Sequence, residues 1–235
     1  MDTIKLGVII ADDMEYAPIA EMGGEYTPYF GRDGHSFTFS EYGNTIEVYA
    51  VHCGVGKVNA ATAAMHLIDK GCKVLLNTGL SGGIRGVRRG DLAIGTSFVE
   101  HDFDLTPLGY KKGVKCSQEY IYTADQRLVS HFSRLCPSAV SGPMVTGDCF
   151  VSDSALRDEL IAEYGAICCD METAAIASVC HITGVPFFTI RRVSDDAGDD
   201  ASAAYREMNE NEKFDLAVLL MRGIKEMLYS DTLFC

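Results

Sequence analysis

Apolar runs of strand length alternate along this chain with longer segments that have apolar residues at helical spacing. The runs are Ile4 to Ala11, Lys73 to Thr78, Asp91 to Val99, Ala139 to Val145 and Pro186 to Ile190. Near-continuous apolar runs are typical of strands that are buried on both faces of a sheet. Many such strands separated by helices predict an α/β fold in which a mixed sheet carries helices on both faces.

The helical patterns lie between these runs. They are Tyr16 to Met22, the Ala-rich segment after Asn59, Asp125 to Leu135, Ser152 to Tyr164, Ala174 to Gly184 and about Asn209 to Met227. We predict that Ser152 or Ser154 caps the helix that ends at Tyr164. Gly43 and Asn44 predict a hairpin turn between the strand patterns His35 to Tyr42 and Thr45 to His52. No Pro-rich or Gly/Ser-rich linker divides the chain, so we predict a single domain over residues 1–235.

The formal net charge of −13 restricts the partners of this protein. Phosphate backbones are bound by clustered Lys and Arg, so we predict no nucleic-acid partner. No apolar segment reaches the roughly 18 residues of a membrane span, and the first residues form no basic stretch, so we predict neither membrane insertion nor export. The nine cysteines include no C-x-x-C pair, which predicts reduced thiols and a cytoplasmic protein.

Acidic residues follow several strand-like runs at the point where each run ends. They are Asp12, Asp13 and Glu15 after the first run, Asp170 and Glu172 after a short run that ends at Cys169, and Asp195 and Asp196 after the last run. Ligands bind beyond the carboxyl ends of strands in open α/β sheets, so we expect these acids to face one pocket. Paired acids in one cleft indicate proton chemistry or sugar binding. For the first group, the alternative is that the acids complement a helix dipole.

Some motifs suggest chemistry that their surroundings do not support. The run Gly54 to Asn59 lacks the residues of a Walker or dinucleotide motif, so we interpret it as a tight strand-to-helix turn that lets the backbone approach the pocket. Ser81 stands in a G-x-S-x-G pattern, but a turn rather than a helix is predicted after it, which argues against a nucleophile. The acids of Glu100 to Asp104 would lie on both faces of a strand, so we predict no metal site there.

Phe150 has two possible places. Taken alone, this residue fits the hydrophobic core better than a surface on which a flat ligand stacks.

Seven motifs in order resemble the purine nucleoside phosphorylase and nucleosidase superfamily, most closely the bacterial 5'-methylthioadenosine/S-adenosylhomocysteine nucleosidases. They are LGVIIADDMEY, GVGKVNAA, NTGLSGG, GDLAIGTSFVEHDFDLTPLGY, TGDCFVSD, CCDMETAAIA and RRVSD, and the resemblance spans about residues 6 to 226. It implies a nucleoside phosphorylase-like three-layer α/β/α sandwich with a central mixed sheet, commonly a homodimer. It also implies a purine nucleoside as the substrate and no metal or organic cofactor.

By this resemblance, three carboxylates carry the chemistry. Asp195 of RRVSD looks like the acid that protonates or hydrogen-bonds N7 of the purine. Glu172 of DMET looks like the ligand of the ribose hydroxyls, and Glu15 of DDMEY resembles the residue that activates the attacking water. Arg191 is expected to help hold that water or the carboxylate.

The resemblance also implies which residues form the walls of the pocket. Phe150 is expected to stack on the base, the backbone of Val151 to read the adenine edge, and Met171 to lie against the ribose. Further substrate contacts are implied for Ser194, Val55, Leu80, Ser81, Gly82 and Tyr205, and a contribution to the neighbouring subunit's 5'-pocket is implied for Leu105, Leu108 and Tyr110.

The resemblance implies hydrolysis of the N-glycosidic bond of a 5'-substituted adenosine, such as 5'-methylthioadenosine or S-adenosylhomocysteine, with release of adenine and the free 5'-substituted ribose. Breaking this bond builds positive charge on the ribose and negative charge on the base, so it needs an acid at the base and anionic groups near the sugar. Asp195 should therefore have a raised pKa, whereas Glu15 should stay ionised. Two alternatives are a phosphorylase that uses phosphate and a nucleoside-binding relative without activity.

The chain departs from the nucleosidase pattern at three positions. Leu80 stands where the family usually has Ser near the water, and Leu108 replaces an aromatic residue. Asp12 stands where the family often has Met beside the 5'-substituent. This last departure allows a 5'-group that is larger, more polar or open to solvent.

Overall fold

The computed structural model describes residues 2–208, 210–230 and 232–233. The strands are β1 (Asp2–Ile10), β2 (Glu25–Tyr26), β3 (Gly34–Glu41), β4 (Asn44–His52), β5 (Val74–Gly83), β6 (Leu92–Glu100), β7 (Tyr122–Thr123), β8 (Val140–Thr146), β9 (Cys168–Asp170) and β10 (Phe187–Asp195). The helices are α1 (Asp13–Glu21), α2 (Lys57–Asp69), α3 (Gln126–Leu135), α4 (Ser154–Tyr164), α5 (Thr173–Thr183), α6 (Ala201–Arg206) and α7 (Glu210–Glu226).

All ten strands join in one mixed sheet, part of which closes on itself. Strand β5 pairs in parallel with β1 and with β10, and β10 pairs antiparallel with β6. Strand β6 continues in parallel to β8 and β9, and β9 returns antiparallel to β5. Five strands therefore form a closed ring, and β1, β4, β3 and β2 extend from it as an open sheet. The predicted mixed sheet is confirmed, while its closure was not predicted.

Helices cover the sheet on both sides, as the alternating pattern predicts. Helices α2 and α5 pack against each other and against β1 and β8, whereas α7 packs against α1, β5 and β10. The residues of β1 from Leu6 to Ile10 are buried throughout, which explains their near-continuous apolar run. No helix among the described residues combines the length and the apolar character that a membrane crossing requires.

Several predicted details differ from the structure. The hairpin between β3 and β4 turns at Tyr42 and Gly43 rather than at Gly43 and Asn44, because Glu41 pairs with Asn44 and both turn residues have positive φ angles, 51° and 86°. Helix α4 is capped by Asp153, not by a serine, since the Asp153 carboxylate accepts the backbone N–H of Ala155 at 2.7 Å.

The segment after Thr78 also differs. The strand was predicted to end at Thr78, but β5 continues to Gly83 because Gly82 and Gly83 pair with Cys169 and Cys168 of β9. The turn predicted after this segment, in place of a helix, is confirmed, because residues 84–91 belong to neither a helix nor a strand. Closure of the ring thus keeps this Gly-rich segment extended. The predicted last helix corresponds to α7, and Asn209 lies outside the described residues.

Candidate active site

A cavity of about 220 Å³ lies where the chain leaves β1, β9 and β10. Its lining comes from segments far apart in the sequence. The residues are Ala11, Asp12, Glu15, Val55, Leu80, Ser81, Gly82, Cys149, Phe150, Val151, Cys169, Asp170, Met171, Glu172, Ser194, Asp195 and Tyr205. Each of the three groups of acids that follow strand-like runs therefore contributes to one pocket, although two predicted members, Asp13 and Asp196, are exposed and do not line it.

Glu15 is fixed at the start of α1 by backbone donors. Its carboxylate accepts the N–H of Leu80 at 2.6 Å and the N–H of Asp12 at 3.3 Å, the second bond being half of a capping box with Asp12. Gly79 has a φ of +152°, and a Cβ there would stand 2.6 Å from the Glu15 carboxylate, so only glycine fits this place. Both interpretations of the first acidic group therefore hold. Asp12 caps helix α1, and Glu15 faces the cavity.

Burial changes the acidity of Glu15. Desolvation raises its pKa to about 7, against the positive charge of Arg191, and the negative charge of Glu172 adds to the rise. The prediction that Glu15 stays ionised therefore needs refinement, because this carboxyl gains and loses its proton near neutral pH. A group with such a pKa can accept a proton at neutral pH with little loss of reactivity.

Glu172 is held at both of its oxygens. The backbone N–H of Gly56 donates to Oε1 at 3.0 Å, and Nη2 of Arg191 lies 3.5 Å from Oε2. Gly56 precedes α2 with a φ of 101°, so the glycine turn brings its N–H to the cavity, in agreement with our interpretation of that segment. Burial raises the pKa of Glu172, and Arg191 opposes this rise.

Arg191 lies behind the cavity and not on its wall. Its guanidinium is buried and donates to Asn77 Oδ1 at 2.6 Å and to the Leu80 carbonyl at 3.2 Å. It also lies 3.1 Å from the Asp170 carboxylate. Arg191 therefore holds the carboxylates of Asp170 and Glu172, whereas the predicted contact was with the carboxylate of Glu15 or with the water. It is not among the residues that line the cavity, and its charge acts on Glu15 without a hydrogen bond.

Asp170 has no predicted role, although it fixes the backbone beneath Glu172. Its Oδ1 accepts the N–H groups of Glu172 and Thr173 at 3.1 and 3.0 Å and the hydroxyl of Thr146 at 2.7 Å. The Asp-Met-Glu-Thr spacing is the signal that could have revealed this, because an acid that precedes a helix commonly accepts the N–H groups of the following residues.

Asp195 ends β10 in a setting that favours its protonated form. Its Oδ1 accepts the N–H of Ala197 at 2.9 Å, and its Oδ2 lies 2.7 Å from the Ser194 hydroxyl, which is also 3.2 Å from the Ser81 carbonyl. The single hydroxyl proton of Ser194 can fully serve only one of these acceptors. Burial raises the pKa of Asp195, and the charge of Asp196 adds to this. The hydrogen bonds that Ser194 and Ala197 donate to the carboxylate oppose the rise without cancelling it.

Phe150 and Tyr205 form an aromatic wall of the cavity. Phe150 is 45% exposed, and its ring meets that of Tyr205 edge to face at a centroid distance of 5.6 Å. The reading of Phe150 as a core residue is therefore wrong. Strand β8 has already ended at Thr146, so the loop that carries Phe150 has left the sheet.

Most of the other predicted site residues also line the cavity. Val55, Leu80, Ser81, Gly82, Val151, Met171, Ser194 and Tyr205 all do so. Ser81 lies inside β5, beside the Cys168 thiol, and not on a strand-to-helix turn. Ala11, Cys149 and Cys169 line the cavity without having been predicted, and their small or apolar side chains give no sequence signal.

Three predicted residues lie away from this cavity. Leu105, Leu108 and Tyr110 belong to the loop after β6, and Leu108 is 71% exposed. The roles assigned to them depend on a second subunit. The acids Glu100 and Asp102 at the start of this loop pair with Lys57, at 3.1 and 2.7 Å. Within the described ranges, no three His, Cys, Asp or Glu side chains are grouped as metal ligands.

With this geometry in view, comparison with known proteins gives a consistent result. Residues 5–224 match the sequence profile of the Phosphorylase superfamily. The chain is 32% identical over 237 residues to the 5'-methylthioadenosine/S-adenosylhomocysteine nucleosidase of Exiguobacterium sp., a match that covers 95% of this chain and 99% of that protein. The chain belongs to this nucleosidase family within the phosphorylase superfamily. The predictions of the family and of an N-glycosidic hydrolase are thereby confirmed.

Solved structures of nucleosidases have the same fold. The Helicobacter pylori 5'-methylthioadenosine/S-adenosylhomocysteine nucleosidase, complexed with a pyrrolidin-3-ol that carries a 4-amino-pyrrolo[3,2-d]pyrimidine, superposes with a TM-score of 0.89 at 25% identity, covering 96% of this chain and 100% of that one. The S-adenosylhomocysteine nucleosidase of Streptococcus pyogenes, in complex with 5-methylthiotubericidin, gives a TM-score of 0.88 at 26% identity and covers 97% and 98%. The predicted fold class is confirmed.

Proposed function

We propose that this nucleosidase hydrolyses the N-glycosidic bond of a 5'-substituted adenosine and releases adenine and the free sugar. The observation that carries the proposal is the presence of three carboxylates, Glu15, Glu172 and Asp195, in one cavity with three different environments. Each environment suits a different task in cleavage of a bond between a sugar and a base. The relatives' names supply the class of nucleoside.

Asp195 is the acid at the base. Burial and the charge of Asp196 raise its pKa, which favours the protonated form. Donating that proton to N7 neutralises the charge that develops on the leaving purine. Phe150 and Tyr205 supply flat apolar surface for the base. Val151 lines the same cavity, and its backbone would read the adenine edge.

Glu172 binds the sugar. Its two oxygens are held by Gly56 and Arg191, so the carboxylate is preorganised to accept hydrogen bonds from the ribose hydroxyls. Its negative charge also stabilises the positive charge that builds on the ribose as the bond breaks. Met171 lines the same stretch of the cavity and gives the ribose an apolar contact.

Glu15 activates the water. The N–H groups of Leu80 and Asp12 orient the carboxylate, and its pKa of about 7 matches the pH at which it would take the proton. As Asp195 gives a proton to the base and Glu15 takes one from water, the two acids divide the work as the two carboxylates of an inverting glycosidase do.

Water is favoured over phosphate as the nucleophile because of charge. Among the described residues that line the cavity, five are acidic and none is Lys or Arg. The guanidinium of Arg191 lies behind the cavity lining and already pairs with the carboxylates of Asp170 and Glu172. Two like charges about 4 Å apart repel by about 4 kcal/mol at an effective dielectric of about 20, so a phosphate dianion beside Glu15 would be strongly disfavoured.

The test is the product formed in phosphate-free buffer. With 5'-methylthioadenosine as substrate, we expect adenine and free 5-methylthioribose at a rate that added phosphate does not increase. Glu15→Gln should lose this activity, while Asp13→Asn, a change at an exposed neighbouring acid, should keep it. A rate proportional to phosphate, with a sugar 1-phosphate as the product, would assign the protein to the phosphorylases instead.

A homodimer is part of this proposal. Val58 and Met65 lie seven residues apart on α2 and are 77% and 42% exposed, and Leu108 on the loop after β6 is 71% exposed. The Lys57–Asp102 ion pair joins the start of α2 to that loop, so these apolar side chains belong to neighbouring segments. A second copy that covers them would bring the loop to its partner's cavity.

Light scattering should therefore give twice the mass of one chain. Val58→Asp should reduce both the mass and the activity, while Tyr42→Asp, at a still more exposed aromatic residue on the β3–β4 turn, should change neither. A monomer with full activity would contradict the dimer. We also propose a cytoplasmic location, because all eight cysteines among the described residues are free thiols.

A further inference from the structure

Asp12 places a carboxylate on the cavity wall that the proposed reaction does not use. Its side chain caps α1 by accepting the backbone N–H groups of Met14, at 2.8 Å, and Glu15. A carboxylate has about four acceptor positions, so capping leaves acceptor capacity toward the cavity. Within residues 2–208, 210–230 and 232–233, no ion pair includes Asp12, whereas the adjacent Asp13 lies 3.4 Å from His52.

The order of groups along the cavity assigns one part of the substrate to Asp12. Asp195 and the aromatic wall take the base, Glu172 takes the ribose hydroxyls, and Glu15 faces the carbon that water attacks. The N–H of Asp12 lies 3.3 Å from the Glu15 carboxylate, so Asp12 adjoins the sugar on that side. The part of a nucleoside that is left for it is the group on C5'.

We infer that the substrate carries a hydrogen-bond donor on C5', a hydroxyl or an amine, and that Asp12 accepts it. The inference rests on the proposed function and specifies its substrate. A thioether is at most a weak acceptor and has no proton to donate. It would cover the Asp12 carboxylate without giving it a partner, which is unfavourable for a charged group. A donor would instead offset the repulsion between Asp12 and Glu15, which contributes to the raised pKa of Glu15.

The test compares adenosine with 5'-deoxyadenosine, which differ by the 5'-hydroxyl alone, and includes 5'-methylthioadenosine. The quantity measured is kcat/KM for adenine release by the wild type, Asp12→Ser, Asp12→Asn and the control Asp13→Ser. Serine and asparagine both cap helices well, so α1 keeps its cap. Serine withdraws the carboxylate from the cavity, and asparagine keeps its size but not its charge. Both variants thus remove the negative charge of Asp12 while keeping the helix cap.

We expect the wild type and Asp13→Ser to prefer adenosine over 5'-deoxyadenosine by about tenfold or more, the usual effect of a hydrogen bond to a charged acceptor. Asp12→Ser should bring the ratio close to one, and Asp12→Asn should give an intermediate ratio. A ratio near one in the wild type, or an equal ratio in the wild type and both Asp12 variants, would overturn the inference while leaving the hydrolase assignment intact. Absence of adenine from all three nucleosides would overturn the proposed function and this inference together.

Discussion

Glu15→Gln removes a negative charge from the cavity while keeping the size of the side chain and one acceptor oxygen. In the wild type, burial raises the pKa of Glu15 from 4.5 to about 7. The folded protein therefore binds this proton more tightly than the unfolded chain does. The stability that results is fully present below pH 4.5 and is lost as the pH rises through 7. Glutamine has no such proton, so its contribution does not change with pH.

The two pKa values set the size of the effect. The difference between 4.5 and about 7 corresponds to about 3 kcal/mol of unfolding free energy. The amide oxygen can still accept the Leu80 N–H, but the Asp12 N–H loses its acceptor, which costs about 1 kcal/mol at every pH. We therefore expect the variant to be about as stable as the wild type at pH 5 and more stable by about 2 kcal/mol at pH 8.

Urea unfolding of both proteins at pH 5 and pH 8 measures this difference, and the comparison cancels the titration of groups that both share. Asp13→Asn is the matched control, because the Asp13 side chain on the same helix is 91% exposed. The variant should also lose adenine release at both pH values, whereas wild-type kcat/KM should rise through about pH 7 as Glu15 ionises. Equal losses of stability in the variant and the wild type between the two pH values would refute this account of Glu15.

Three further changes test the other parts of the site. Asp195→Asn keeps a donor but cannot deliver a proton, so adenine release should be lost while calorimetry still shows nucleoside binding; turnover near the wild-type level would remove Asp195 from the acid role. Glu172→Gln should weaken nucleoside binding by about 2 kcal/mol, the value of a charge-assisted hydrogen bond, and an unchanged Kd would contradict the sugar contact. Gly79→Ala places a Cβ 2.6 Å from the Glu15 carboxylate, so the kcat of this variant should fall sharply. The control is Gly86→Ala, because Gly86 also has a positive φ but a Cβ there would meet no atom within 4 Å; this variant should lose stability and keep its kcat. Equal kcat values in the two alanine variants would show that Gly79 does not position Glu15.

The sequence by itself determined the features that local patterns record. Near-continuous apolar runs mark buried strands, and the run at the start of the chain becomes a buried strand with Ala11 and the acids directly after it. The acids after β1 and β10 face one cavity because both strands run parallel to β5, and parallel strands bring their carboxyl ends to one edge of the sheet. Strand β9 runs antiparallel to β5, so the acids after β9 reach the same cavity only through the closure of the sheet. The seven motifs identify the family because each reports a turn or a side chain at a fixed place in this fold.

Tertiary structure alone decided the features that depend on residues far apart in the chain. The closure of the sheet requires β10 to pair with both β5 and β6, and hydropathy records that a residue is buried but not which strand it pairs with. Glu15 acquires its pKa from burial and from Leu80, a residue 65 positions later. Phe150 is apolar and yet exposed, because the strand before it ends four residues earlier and its loop follows the cavity rather than the core. Desolvation and pairing arise from the surroundings that the fold assembles, and those surroundings are not encoded in any short stretch of the sequence.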